Sequence, residues 1–83
     1  MPVVWMFQHP SHSKMAWRQF REGDNRRLEL AYQSYVQSGT PELMELEVKK
    51  NVVVVVSFKP PMTQIGPSSK LTRKVRRFVE TDD

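Results

Sequence analysis

Five consecutive valines, Val52 to Val56, constrain this chain more than any other feature. Valine is stiff about χ1 and packs well on a pleated surface, so the run reads as a strand. A short, unbroken apolar run reads further as a central strand with both faces covered. Lys49-Lys50-Asn51 supplies a turn before it. Ser57 and Phe58 continue it, and Pro60-Pro61 ends it, because proline cannot donate to the ladder. One face of such a strand has to meet an apolar helix. Leu28, Ala31, Tyr32, Tyr35 and Val36 fall at i, i+3, i+4, i+7 and i+8, the stripe of a half-buried helix. Asp24 is placed to cap its start, and Gly39 to end it in the left-handed conformation.

The remaining elements follow from local chemistry. Val3 to Gln8 is a strand of branched and aromatic residues, Pro10 to Lys14 a polar turn, and Met15 to Phe20 a second strand, together a hairpin. Leu43 to Val48 fits a strand or a short helical turn, and its periodicity leaves both open. Met62 to Ile65 reads as a short edge strand, Gly66 to Ser69 as a turn, and Leu71 to Val79 as the last strand. The sum is an α+β fold: a bent antiparallel sheet of about five to six strands packed on one helix. We expect one domain over residues 1–79 and a frayed acidic tail over 80–83. Its 83 residues support one modest core, since a chain this size buries roughly 60–65 % of its unfolded surface. Trp5, Trp17, Phe20 and Tyr32 are expected to be structural, with Trp17 and Tyr32 buried against the valine strand.

Composition excludes several function classes. There is no cysteine, hence no disulfide frame and no thiolate metal site. That suits the cytoplasm or nucleus. His9 and His12 stand three apart in a loop and read as solvated. Three glycines leave no phosphate-cradling loop, and no Ser-His-Asp frame or set carboxylate pair is present. We therefore expect no catalysis, no cofactor and no metal. No apolar run approaches the ~20 residues of a membrane span, and residues 1–10 carry no signal-peptide pattern. Arg18, Arg21, Glu22, Arg26, Arg27 and Glu29 alternate in sign and read as a solvated face.

The last strand is more informative. Lys70, Arg73, Lys74, Arg76 and Arg77 crowd eight residues of a chain whose net charge is +4. In an extended strand Arg73, Val75 and Arg77 share one face, and Lys74, Arg76 and Phe78 the other. One basic face then lies near the concave side, where arginine can grip phosphate or carboxylate with two donors. The alternative is an edge strand guarded by charge against aggregation.

Taken in order, Trp5-Met6-Phe7, Trp17-Arg18-Gln19-Phe20, Leu28-Glu29-Leu30-Ala31-Tyr32, Met62-Thr63-Gln64 and Arg73-Lys74-Val75-Arg76-Arg77 resemble a WWE domain. The family takes its name from two tryptophans and a glutamate, here Trp5, Trp17 and Glu29. The resemblance implies a half-barrel of strands cupping one helix. It also implies a non-catalytic binding module, of a kind found in ubiquitin ligases and ADP-ribosyltransferases. Some members bind poly(ADP-ribose) through its iso-ADP-ribose unit, and others make protein contacts without a nucleotide. By the same resemblance Gln64 matches a ligand-bonding glutamine and Arg73 a phosphate-binding basic residue. Phe7 stands where binders often carry tyrosine. Val55 holds a position, nine before Gln64, that is tyrosine in some binders. The candidate ligand residues are thus Phe7, Gln64, Arg73 and Arg76. The candidate partners are poly(ADP-ribose) or iso-ADP-ribose, then proteins of ubiquitination or ADP-ribosylation, then RNA on the basic strand.

Overall fold

The computed structural model describes residues 2–11, 14–66 and 72–80. The tip of the first hairpin, most of the turn expected at Gly66–Ser69, and residues 81–83 of the expected tail lie outside the described residues. The elements run β1 (Val3–Ser11), β2 (Lys14–Gln19), α1 (Glu22–Ser38), β3 (Leu43–Lys49), β4 (Val52–Ser57), β5 (Thr63–Ile65) and β6 (Thr72–Val79). The six strands form one antiparallel sheet in the order β2-β1-β6-β5-β4-β3, curled into a half-barrel around α1. Among the described residues no helix is long and apolar enough to cross a membrane.

The sheet order corrects two expectations. β5 is no edge strand: it bonds β4 on one side and β6 on the other. β6 is likewise interior, between β1 and β5, so its charges do not guard an edge. The edges are β2 and β3. Leu43–Lys49 resolves as a strand, its burial alternating about buried Leu46. The valine run forms β4, but only one of its faces is covered. Val54 and Val56 are buried, whereas Val53 and Val55, of the opposite parity, are only half-buried.

The core lies inside the curl. Trp5, Leu28, Leu46, Val56 and Phe58 are almost fully buried, with Phe20, Val54 and Val75 beside them. Trp5 meets Tyr32 and Phe58 edge-on, at ring separations of 5.3 and 5.8 Å. Such edge-to-face pairs add roughly 0.5–1.5 kcal/mol to the area they bury. Tyr32 is half-buried and reaches Phe58 at 5.9 Å. Of the helix stripe, Leu28 is buried, and Ala31, Tyr32 and Tyr35 pack partly against the core. Val36 is 59 % exposed and lies outside it.

Trp17 is not part of this core, contrary to expectation. Phe7 shares the inner face with Trp5 and pairs with Arg18, so the pleat sends Trp17, opposite Gln8, to the convex face. There the guanidinium of Arg76 stacks over its ring at 4.3 Å.

The helix also starts earlier than its spacing suggests. The Asn25 N–H already donates to the Arg21 carbonyl at 2.8 Å, so Arg21 is the cap residue and Asp24 sits within the first turn. Asp24 is buried and holds Arg21 at 3.3 Å. An acid there also favours the positive end of the helix dipole. Gly39 ends the helix as expected, at φ 79° with its N–H bonded to the Tyr35 carbonyl.

Asn25 does something no propensity foretells. β2 stops at Gln19, leaving the first residues of β1 without a neighbour on that side. The Phe20 N–H still reaches the Trp5 carbonyl at 3.0 Å. Beyond it, the Asn25 side chain takes over. Its Oδ1 accepts the Trp5 N–H at 2.6 Å, and its Nδ2 donates to the Val3 carbonyl at 2.8 Å. One amide thus supplies the donor and acceptor of the missing strand and fastens the helix to β1.

Two stability tests follow. Trp5→Ala is expected to cost roughly 3–5 kcal/mol, enough to unfold most of so small a domain. Trp17→Ala should cost only about 0.5–2 kcal/mol, because it loses a surface stack. Urea melts that rank the two the other way would contradict this core. Asn25→Ala should cost about 1–3 kcal/mol per orphaned backbone group, and hydrogen exchange at the Trp5 amide should speed up. Unchanged protection at that amide would show that Asn25 is no strand substitute.

Candidate functional site

The core fills only one end of the half-barrel. At the other end, beside the N-terminus of α1, a cavity of about 450 Å³ opens. That is within the ~300–1,000 Å³ range of small-molecule sites. Phe7 and Phe20, their rings 4.9 Å apart, and Val54 form apolar walls. Gln64 and Arg73 form a polar one, paired across β5 and β6. Arg18, Arg21, Lys49 and Arg73 line it against a single carboxylate, Asp24. The cavity therefore combines an excess of positive charge with apolar and aromatic walls, and can accommodate an anion with an apolar or aromatic part.

Its polar atoms are not satisfied from within. Gln64 is buried, 7 % exposed, and its Oε1 has no hydrogen-bond partner among the described residues. The same holds for buried Nη1 of Arg73 and buried Nδ1 of His9. Most buried polar atoms in folded proteins are paired, and each exception asks for an explanation. Here all three belong to residues lining the same cavity.

The structure brings Phe7, Gln64 and Arg73 together and leaves Arg76 apart. Arg76 alternates to the convex face, where it covers Trp17 and approaches Met6 Sδ at 4.0 Å. Val55 also turns away. It pairs with Ile65 and Glu45, out of phase with inward Val54 and Val56, and does not line the cavity. An aromatic residue missing at Val55 therefore takes nothing from this wall. His9, read from sequence as a solvated loop residue, belongs to β1 and to the cavity. The signal was its parity: Trp5, Phe7 and His9 occupy alternate positions of one strand. His12 lies outside the described residues. Among those described, no group of three or more histidine, cysteine or acidic side chains gathers to hold a metal.

A second polar cluster, apart from the cavity lining, ties α1 to β1 and β6. Glu29, read from sequence as part of a solvated face, is in fact 23 % exposed at its side chain. Trp5 Nε1 donates to its Oε1 at 3.0 Å, and Arg77 Nε donates to the same oxygen at 2.8 Å. Arg77 Nη2 and Gln33 Nε2 donate to Oε2, both at 2.8 Å. Arg77 also lies 5.2 Å over the Tyr32 ring. The Arg77 hydrogen bond is the main cause holding the Glu29 carboxyl at about 2, below its ordinary 4.5. Burial opposes that shift, and the bonds from Gln33 and Trp5 assist it.

A curled sheet wrapped on one helix, with a basic, polar-walled cavity at its open end, is the build of a small binding module. A family model for the WWE domain matches residues 3–77, and this chain belongs to that family. WWE domains are interaction modules and generally non-catalytic. No curated protein matches the sequence.

The Glu29 cluster predicts an acid limb of stability. A carboxyl lowered on folding stabilises fully above its unfolded value, and that contribution is lost as pH falls through the folded value. Wild type should therefore lose on the order of 2–3 kcal/mol between pH 4.5 and about 2, a window set by Glu29. Glu29→Gln should be less stable at pH 7 and flatter across that window, read by thermal melts at each pH. Parallel curves for the two proteins would refute the assignment.

Proposed function

We propose that this WWE domain binds poly(ADP-ribose) through the iso-ADP-ribose unit in the cavity beside β5 and β6. The observation that carries the reading is the convergence of unpartnered polar atoms on one basic cavity with aromatic walls. Such a ligand offers each of them what it lacks. Arg73 Nη1 donates to the diphosphate, and a charged acceptor makes that bond roughly twice as strong as a neutral one. Gln64 Oε1 accepts from the adenine amino edge or a ribose hydroxyl. Phe7 gives the base a flat face, a contact every nucleobase can use. Arg76 has no part in this site.

A second reading is a protein-contact module without nucleotide, serving a protein of ubiquitination or ADP-ribosylation. Phe78, Ile65 and Leu43 are 46, 44 and 60 % exposed, and such surface apolar groups favour it.

Titration of the ¹⁵N-labelled domain with iso-ADP-ribose separates the two. The first reading expects shift changes at Phe7, the Gln64 side-chain amide and Arg73. Arg73→Ala should weaken binding about 10- to 150-fold, the equivalent of ~1.5–3 kcal/mol for a charge-assisted hydrogen bond. The melting temperature should not fall, because Arg73 Nη1 has no partner among the described residues to lose. Silence at these residues under millimolar ligand would sink the nucleotide reading and promote the protein-contact one.

A further inference from the structure

The three unpartnered atoms are arranged, not scattered. Gln64 on β5 pairs with Arg73 on β6. β1 and β6 pair antiparallel through Phe7 and Val75. Carried one row further on the same face, that register sets His9 beside Arg73. On that register Gln64, Arg73 and His9 fall on one polar row across three adjacent strands, the Gln64–Arg73 step paired directly and the Arg73–His9 step continued from the last pair, Phe7 and Val75. The row just inside it, on the core side, is apolar where β1 meets β6: Val75 is buried and Phe7 is packed on the core.

We propose that His9 is a third ligand-binding side chain, donating from Nδ1 to an anionic oxygen held between it and Arg73. This rests on the proposed nucleotide reading and adds to it the residue that fixes the phosphate. The geometry supports the choice of atom. The imidazole stands edge-on to Phe7, at a ring separation of 6.4 Å and an angle of 66°, so the ring is steered by a cavity wall. Nδ1 is buried and without a partner among the described residues. The neighbouring charges favour an anion at that point. Arg73 comes from β6, Arg18 from β2, Arg21 and Asp24 from the start of α1, and Lys49 from β3. Among the described residues lining the cavity only Asp24 is negative, and it is already held by Arg21. Gln64 Oε1, at the far end of the row, can only accept. The row thus reads a ligand with a hydrogen-bond donor at one end and a phosphate oxygen at the other. That is the pattern of a nucleoside phosphate, not of a neutral nucleoside.

Substitution can test the atom as well as the residue. Asparagine places its amide nitrogen where histidine has Nδ1, whereas glutamine places it where histidine has Nε2. Wild type, His9→Ala, His9→Asn and His9→Gln should melt alike, since His9 stands outside the core. Binding is measured for iso-ADP-ribose and for inorganic pyrophosphate by ¹⁵N shift titration. His9→Ala and His9→Gln should lose about 10- to 100-fold for both probes, the range for a hydrogen bond to a charged group. His9→Asn should retain most of the affinity. If His9→Ala binds iso-ADP-ribose as wild type does, the role of His9 falls and the nucleotide reading stands. If pyrophosphate alone binds wild type, with shifts at His9 and Arg73, the anion point stands and the nucleotide reading falls. If neither probe binds wild type, both fall.

Discussion

The fold hangs on one carboxylate. Glu29 receives four donors, from Trp5, Gln33 and twice from Arg77, and so joins α1 to β1 and β6 at once. One helical turn earlier, Asn25 bonds the backbone of β1 on both sides of Val4. Residues 25 and 29 lie on one helix face, being i and i+4. The helix is thus bolted to the sheet by a polar seam, flanked by the apolar contacts of Leu28 and Tyr32. This division suits a chain whose helix carries so thin an apolar stripe. A half-buried ion pair stabilises only when its geometry is good and its remaining atoms are satisfied. The bidentate grip of Arg77, with the added bonds of Trp5 and Gln33, meets both conditions.

The seam also explains why a cavity exists. It fixes α1 over the end of the sheet where Trp5, Phe58 and Arg77 lie, and the core condenses there. The first turn of the helix is left leaning over the other end, with Arg21 and Asp24 at its rim. β6 records the division along its own length. Its two inward arginines stand four residues apart. Arg77 gives Nε and Nη2 to a carboxylate of the protein, and Arg73 keeps a buried nitrogen without a partner among the described residues. The same residue type on the same strand face is tied into the fold in one case and faces the cavity in the other.

Much of this was legible in the chain. The valine run, the helix stripe and Gly39 located β4 and α1, and the alternation of β6 put Arg73 and Arg77 on one face and Arg76 on the other, without telling which face is inward. What misled was the step from pattern to environment. Five valines imply burial on two faces only if something covers the second, and a half-barrel has one helix to offer. Trp17 was read as core because of its size. Its side was set by pairing with Gln8, which depends on hairpin register and not on hydropathy. The polar seam was invisible for a related reason. Asn25 and Glu29 sit in a stretch of alternating charge, and nothing local separates the glutamate that meets a tryptophan from those that meet water. His9 was recoverable, since its parity with Trp5 and Phe7 needed only a longer β1.

The unsatisfied row bears on what state this sequence is tuned for. A buried polar atom left unpaired costs ~1–3 kcal/mol, a large sum for three atoms in a domain of ~5–15 kcal/mol unless water or a ligand in the cavity pairs them. Apolar residues at Gln64 and Arg73 would remove that cost, and β6 and β5 could accept them, since Val75 and Val56 already pack on the same face. Under the proposed function, a ligand in the cavity is what supplies the partners these atoms lack among the described residues. A ligand that pairs them returns the lost hydrogen bonds to the folded state alone, and by linkage raises its stability as RT ln(1 + [L]/Kd). Under the proposed reading, ligand binding and folding are thus linked through the same three side chains.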